Sequence, residues 1–342
     1  MRQDFKISYN GDWKYFCSPD YNYSFNLKNG TFARWGTTEK DDPEFSTFGP
    51  EILDFEITEI CAGFCPYCYK DNKPYGKNTS FETFKSVVEK INPNRTLTQV
   101  AFGLGMTGKE NSELPKMCEW LRSNNIIPNG TVANITEETG KWLAENFGAC
   151  AVSVHHHWKD WKEIFANSVF YLTQYGLKQT NCHFVLAQET LSTLYELIEL
   201  AKIDSRLSGL NAIVLLSIKQ CGRAAKGNFH RVNENDFNEL CKKLLDSKTS
   251  FGFDSCSAKR FEQFLDINPE YKHLSVFAEP CESGLFSAYA NVDGVIYPCS
   301  FLEVPELAYN VLECNDFLGY WNASKWRKKL LACNRHCPMY AI

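Results

Sequence analysis

From residue 52 to about residue 250 the chain alternates six times between short apolar runs and helix-periodic segments, and this rhythm fixes its fold class before any single motif is considered. The predicted strands are 52–58, 98–102, 130–134, 149–154, 181–187 and 210–217. Between them Phe81, Phe84, Val87, Val88 and Ile91 mark one helix face, and Leu191, Leu194, Leu197, Ile198 and Ala201 mark another. A sixth helix, around Phe237, Leu240, Leu244 and Leu245, follows the sixth strand. Successive βα units require a parallel sheet with right-handed crossovers. Such a sheet can curl into an incomplete barrel. The expected fold is therefore α/β, a partial (β/α)6 TIM-like barrel with its chemistry at the C-terminal strand ends.

One loop at that end carries the strongest chemical signal. Directly after the first strand comes Cys61-Ala-Gly-Phe-Cys65-Pro-Tyr-Cys68, three cysteines at C-x3-C-x2-C spacing. With 15 cysteines in 342 residues, chance supplies roughly 0.03 such matches. A structural zinc site closes with four ligands, and this loop offers three. A [4Fe–4S] cluster held by three thiolates keeps one iron open to a substrate or cofactor.

Bulk properties narrow the setting. A hydrophobic content of 44% and 14% aromatics build a sizeable core and exclude a disordered chain. A formal charge of −5 argues against nucleic acid held by phosphate neutralisation. No apolar run is long enough to span a bilayer. The opening Met-Arg-Gln-Asp-Phe-Lys lacks the apolar core of a signal peptide, which predicts a cytoplasmic location. In a reducing compartment so many cysteines favour metal or cluster ligation over disulfides. Cys118, Cys150, Cys182 and Cys241 lie in apolar patterns and are expected to be plain core residues.

The chain divides into three parts. Residues 1–50 form an N-terminal extension with a short hairpin turning at Asn29-Gly30. Residues 51–250 form the barrel. In 251–342 helical periodicity is scarce until 317–331, and cysteines recur at 256, 281, 299, 314, 333 and 337, which suggests a small cluster-stapled module.

Cys61, Cys65 and Cys68, with Tyr67 before the last cysteine, resemble the signature of radical S-adenosylmethionine (SAM) enzymes. The resemblance extends over 52–342. It implies a [4Fe–4S] cluster whose open iron chelates SAM. An electron from the reduced cluster then yields a 5′-deoxyadenosyl radical that abstracts hydrogen from substrate. Phe102-Gly103-Leu104-Gly105-Met106 stands where the family usually shows Gly-Gly-Glu. The glycines are present and the acid is not, so Gly103 and Gly105 carry the backbone approach to the methionine moiety. Asn134, Ser153 and the Gly222-Arg223 pair resemble further SAM contacts after the third, fourth and sixth strands. Tyr67 joins them as a cofactor-side residue.

A second constellation, Cys281-x12-Gly294-x4-Cys299, resembles the opening of the SPASM/Twitch extension, which binds auxiliary clusters. Only Cys333-x3-Cys337 remains of the longer cysteine run that would hold a further cluster. The resemblance therefore implies one auxiliary [4Fe–4S] cluster, on Cys256, Cys281, Cys299 and Cys337, with Cys333 in reserve for the last place. A zinc knot of the same thiolates is the alternative.

Relatives with this extension mostly modify ribosomally made peptides by crosslinking, oxidation or epimerisation. The formylglycine branch has an acid directly after the second extension cysteine, where Ser300 stands here, and is disfavoured. The resemblance implies a peptide substrate and an external electron donor such as flavodoxin or ferredoxin; no recognition domain like that of relatives is evident, so a peptide would need either a separate peptide-recognition protein or contacts with the barrel rim and the N-terminal hairpin. Dehydrogenation of a small metabolite and a non-catalytic Fe–S or zinc scaffold are the alternatives.

His155-His156-His157 invites a metal reading, but neighbours on a strand point to opposite faces, so at most alternate members line the barrel. His155, and His183 in the fifth strand, are the candidates for substrate contact or proton transfer. Phe286 and Tyr289 are expected to pack.

Overall fold

The computed structural model describes residues 4–38, 41–104 and 106–337. The N-terminal chain forms an antiparallel meander of β1 (Lys6–Asn10), β2 (Trp13–Cys17), β3 (Asn22–Asn26) and β4 (Phe32–Trp35) in sequential order. The hairpin expected at Asn29-Gly30 joins β3 to β4. There the Asn26 side chain accepts the Lys28 and Asn29 N–H groups at 3.0 Å, and Gly30 takes a φ of +75°. The extension is thus larger than the single short hairpin expected. β1 is mostly exposed and shows no buried alternation, so nothing in its sequence marks it as a strand.

Six parallel strands lie side by side in chain order: β5 (Ile52–Phe55), β6 (Gln99–Phe102), β7 (Ile127–Val132), β8 (Ala149–Ser153), β9 (Thr180–Leu186) and β10 (Ala212–Ser217). They are the predicted strands with shifted ends. At one edge β11 (Phe251–Phe253) adds a seventh parallel strand. At the other, β12 (Ser287–Ala290) pairs parallel with β5, and β13 (Val295–Tyr297) and β14 (Tyr309–Asn310) continue antiparallel. The hairpin that opens the cysteine-rich region is therefore bonded into the main sheet.

Helices α1 (Phe81–Ile91), α2 (Leu114–Ser123), α3 (Glu137–Asn146), α4 (Trp161–Thr173), α5 (Leu191–Ile203) and α6 (Glu234–Ser247) fill the crossovers. α1 starts where Ser80 accepts the Thr83 N–H, and it buries the five apolar residues that predicted it. α7 (Ala258–Ile267), α8 (Phe317–Asn322) and α9 (Lys325–Ala332) complete the C-terminal region.

Strand alternation gives the sheet two different faces. Leu53, Phe55, Val100, Phe102, Val152 and Phe184 join the helices in the main core. The intervening Asp54, Ala101, Asn129, Thr131, Ala151 and Ser153 share the opposite face. A filled barrel carries bulky branched side chains there. Small residues leave room instead. Cys118, Cys150, Cys182 and Cys241 are each at most 1% exposed and belong to the core, as expected.

A second core clamps the meander onto the C-terminal region, with Phe16, Tyr21, Phe25 and Phe48 against Cys281, Leu285, Phe286 and Leu330. Among the described residues no helix is long and apolar enough to cross a membrane.

Candidate functional site

The cysteine loop is built by a chain that leaves β5 and doubles back. Thr58 bridges Asn78, Ile60 bridges Lys73, and the Cys61 N–H donates to the Lys73 carbonyl at 2.6 Å. Within the turn Phe64 takes a φ of +48°, and the Cys68 N–H closes on the Cys65 carbonyl at 3.2 Å. Gly63 lies between two sulfurs: a Cβ there would stand 3.4 Å from Cys61 Sγ and 3.5 Å from Cys65 Sγ. Burial, and then the neighbouring Cys68 and Cys61 thiols, push Cys65 up to about 12. A Cys65 thiolate in that setting needs a compensating cation.

Gly222 and Arg223 grip this loop from the end of β10. The Arg223 N–H donates to the Cys68 carbonyl at 2.8 Å, and its Nε donates to the Cys65 carbonyl at 2.8 Å. Nη1 reaches the Asn72 carbonyl at 2.8 Å and Asp71 at 3.1 Å. The guanidinium anticipated at SAM thus holds the backbone that carries the cysteines. Gly222, at φ +59°, lies so close that a Cβ would stand 2.3 Å from the Tyr69 carbonyl oxygen.

The histidines correct one expectation. β8 ends at Ser153, so residues 155–157 are off the strand and do not alternate. All three rings gather around Tyr67, with centroids 5.4–6.4 Å from it. Tyr67 donates its hydroxyl to the Val154 carbonyl at 3.0 Å. His155 Nδ1 lies 3.0 Å from Cys65 Sγ, and His157 Nε2 lies 3.3 Å from the Gly63 carbonyl. Burial, followed by His157 and His156, drives His155 down to about 4, so its imidazole is neutral at neutral pH. His183, on the small-residue face of β9, is likewise pushed down to about 4 by burial, against the pull of Asp254.

The other anticipated SAM contacts fall at C-terminal strand ends. Gly103 follows β6, Asn134 follows β7, and Ser153 closes β8. A Cβ on Gly103 would meet nothing within 4 Å, which leaves open space beside it. Gly105 lies outside the described residues.

Four sulfurs meet at the second site. Cys256 precedes α7, Cys281 and Cys299 flank the β12–β13 hairpin, and Cys337 follows α9. Burial, Asp254 and then Cys281 and Cys337 bring Cys256 up to about 12. Burial and Cys337 bring Cys281 to about 11. Cys299 is raised by burial and by Cys256 and Cys281. Cys333 is exposed at the end of α9, whereas Cys337 is 8% exposed.

A mononuclear zinc site needs closely spaced ligands. Tetrahedral zinc at about 2.3 Å from each sulfur holds its ligands roughly 3.8 Å apart. Among the described residues, the ligating atoms that gather in threes within 4.8 Å are those of Cys65, His155 and His157. No three of the C-terminal sulfurs that are described gather this closely.

Several groups at the site carried little or no signal in the sequence. A cavity of about 550 Å³ is lined by Tyr69, Lys70 and Asn72, which follow Cys68, by Ser300 and Glu303, which follow Cys299, and by Glu56. Lys70 Nζ donates to the Tyr289 hydroxyl at 2.7 Å and pairs with Glu56 at 3.1 Å and with Glu303. Tyr289, expected only to pack, donates to Glu56 at 2.9 Å. Asn72 is 7% exposed and its Nδ2 has no hydrogen-bond partner. Asp54, on the same face of the sheet, borders open space yet is enclosed by enough protein to push its carboxyl up to about 6. A charged residue inside Leu53-Asp54-Phe55 was the one visible clue.

The parallel sheet, with the three-cysteine loop at its C-terminal edge, matches the α/β arrangement anticipated from the sequence. No family model and no curated protein matches the sequence. Among solved structures, the fold is similar to that of Streptococcus suis SuiB bound to S-adenosylmethionine, with a TM-score of 0.61 and 15% identity over 83% of this chain and 68% of that one. It is also similar to SuiB bound to its precursor peptide SuiA, with a TM-score of 0.64 and 12% identity over 98% of this chain and 90% of SuiB.

Proposed function

We propose that this chain is a radical SAM enzyme that abstracts hydrogen from a ribosomally made peptide. The observation that carries the reading is the convergence of Cys61, Cys65 and Cys68 in one clamped loop, on a fold shared with a protein that binds SAM and a precursor peptide. The donor set suits a cluster with one open iron: three thiolates, a glycine between two of them, and small residues across the facing sheet surface. When bound, the cluster and SAM supply the hydrogen-abstracting radical.

The chain's own residues hold and orient. Arg223 and Gly222 fix the loop, and Tyr67 braces it against Val154. Gly103, Gly105, Asn134 and Ser153 contact SAM along the strand ends. The partial barrel spans 51–250, and residues 251–342 act as its auxiliary module, with Cys256, Cys281, Cys299 and Cys337 holding one auxiliary [4Fe–4S] cluster. The substrate occupies the cavity beside Tyr69, and rotation of the Asn72 side chain, whose Nδ2 is buried and unpaired, lets that amide donate to a substrate carbonyl. His155 and His183, both neutral at neutral pH because burial disfavours their protonated forms, contact the substrate by hydrogen bonds. A flavodoxin or ferredoxin delivers electrons, and a separate protein presents the peptide.

Anaerobic reconstitution tests this. Protein with about eight irons per chain, the sum of two cubanes, is expected to cleave SAM to 5′-deoxyadenosine, and Cys61→Ala is expected to abolish cleavage. Iron-loaded protein that leaves SAM intact, with and without substrate, overturns the proposal. Asn72→Leu removes a buried donor without touching a thiolate. Its expected effect is a rise in KM of about tenfold, one lost hydrogen bond of ~1.4 kcal/mol, with iron content unchanged. An unchanged KM would remove Asn72 from the substrate site.

The compact Cys65–His155–His157 group favours a second reading, a mononuclear zinc site with an open position. It leaves Cys61 and Cys68 without a role. One zinc and no iron per chain after purification under anaerobic conditions would decide for it.

A further inference from the structure

One sulfur of the first loop faces a side chain from a distant part of the sequence. His155 stands 90 residues after Cys65, in the segment beyond β8, and its Nδ1 lies 3.0 Å from Cys65 Sγ. The neighbouring Cys61 Sγ accepts from local backbone instead, the Gly63 N–H at 3.4 Å. The imidazole is held in place from two sides. The Trp158 N–H donates to the His155 carbonyl at 2.9 Å, and the Trp158 ring packs on the imidazole with centroids 4.4 Å apart. The Tyr67 ring lies parallel to it within 4°, at 6.4 Å.

Donors and acceptors around the ring fix which nitrogen carries the hydrogen. Tyr67 commits its own hydroxyl hydrogen to the Val154 carbonyl at 3.0 Å, so toward His155 Nδ1, 3.4 Å away, its oxygen can only accept. A cysteine that ligates a metal is a thiolate and can likewise only accept. Both atoms that face Nδ1 are then acceptors, and Nδ1 is the N–H. That donor is present whether the ring is neutral or charged. Nε2, 4.0 Å from the same sulfur, is the nitrogen left to other partners.

From this geometry we infer that His155 is a positioning residue of the loop cluster, whose Nδ1–H donates to the Cys65 sulfur and raises the cluster's reduction potential. The inference rests on the reading that Cys61, Cys65 and Cys68 hold a [4Fe–4S] cluster. One-electron reduction puts negative charge on the core and its sulfurs. An N–H dipole aimed at one of those sulfurs stabilises the reduced form more than the oxidised one, and a partly buried setting screens it less than water does. The same bond sets the direction of the Cys65 sulfur. An external donor therefore reduces the cluster at a less negative potential than the three thiolates alone would set.

The test is an anaerobic redox titration, followed by electron paramagnetic resonance, of the reconstituted full-length protein without substrate. The loop cluster's signal is the one that Cys61→Ala removes. His155→Phe keeps a ring between Tyr67 and Trp158 and deletes the N–H. It is expected to hold the same iron per chain and to be reduced about tenfold less favourably, a midpoint more negative by about 59 mV for one electron. His155→Gln restores an N–H donor and is expected to recover most of that shift. Equal midpoints in the parent and the phenylalanine variant, or equal shifts in both variants, overturn the donor role of His155 while the cluster stands. Should the phenylalanine variant fail to fold or to load iron, the parent carries the test: electron–nuclear double resonance with isotope-labelled histidine is expected to show nitrogen coupled to the reduced loop cluster, and no coupling overturns the contact. If the parent holds no iron that Cys61→Ala removes, the loop-cluster reading falls and this inference with it.

Discussion

Gly222→Ala is expected to empty the cysteine loop of its cluster while leaving the fold in place. The residue sits at φ +59°, which costs an alanine roughly 1–2 kcal/mol. Far more serious is the new methyl group, which would stand 2.3 Å from the Tyr69 carbonyl oxygen and 2.5 Å from that of Cys68. Backbone on both sides cannot yield as a flexible side chain does. Either the Cys68–Tyr69 segment moves away or the turn bearing Arg223 retreats, and both separate the guanidinium from the Cys65 carbonyl it holds at 2.8 Å. The measurement is iron per chain after reconstitution, expected to fall by about four, with 5′-deoxyadenosine formation lost. Gly176→Ala is the control: its φ of +88° carries comparable strain, yet a Cβ there meets nothing within 4 Å. It should lose a little stability and no iron. A Gly222→Ala protein with full iron and activity would show that the clamp is dispensable.

Replacing Arg34 with leucine is expected to be the most destabilising single change outside the core. Arg34 Nε donates to both Glu51 oxygens at 2.8 Å, Nη1 donates to Glu282 at 2.7 Å, and the guanidinium stacks on Phe286 at 3.8 Å. It thereby joins β4, the chain entering β5, and the residue after Cys281. Glu51 is 0% exposed, and burial raises its pKa to about 7 even though Arg34 and the Tyr21 hydroxyl oppose the shift. Removing one partner of a buried ion pair costs about 3–5 kcal/mol, because the remaining charge is left uncompensated. The sign of the pH dependence follows. Without Arg34 the Glu51 carboxyl rises further, so the folded variant binds a proton that the unfolded chain releases above the ordinary carboxylate range. Its stability then falls as pH rises. Denaturant unfolding should therefore show a deficit for Arg34→Leu that is smaller at pH 5 than at pH 8. A deficit independent of pH would mean that lost packing on Phe286, not the orphaned carboxylate, dominates.

The two variants probe different parts of one assembly. Gly222 and Arg223 act on the loop at the C-terminal end of β5, and Arg34 acts where the meander meets the hairpin that carries Cys281 and Cys299. Loss of iron from the second site in Arg34→Leu, with the first site retained, would tie the N-terminal meander to auxiliary-cluster integrity.

The order of the parallel strands, the helices between them and the three thiols of the first loop were all legible in the chain. Each rests on short-range patterns: period-2 and period-3.6 burial, and cysteines three or four residues apart. The anticipated core cysteines came out for the same reason, since each sits among apolar neighbours. What the chain concealed lies between residues far apart in it. Arg223 reads as a lone basic residue after a glycine, and only the return of β10 beside the loop 158 residues earlier turns it into a clamp. Strand alternation was applied to His155–His157 although they lie beyond the end of β8, where the following turn, not the strand, sets their directions.

Sequence alone determined which side chains are available for chemistry and on which kind of element each stands, because backbone periodicity is a local property. Tertiary structure alone decided their company. It buried Cys337 near Cys256 and Cys281 and left Cys333 exposed, paired Lys219 with Asp254, and left the buried Asn72 amide unpaired in a cavity wall. Burial and charge at a point in space sum over every segment that reaches it, and no local pattern in the chain encodes that sum.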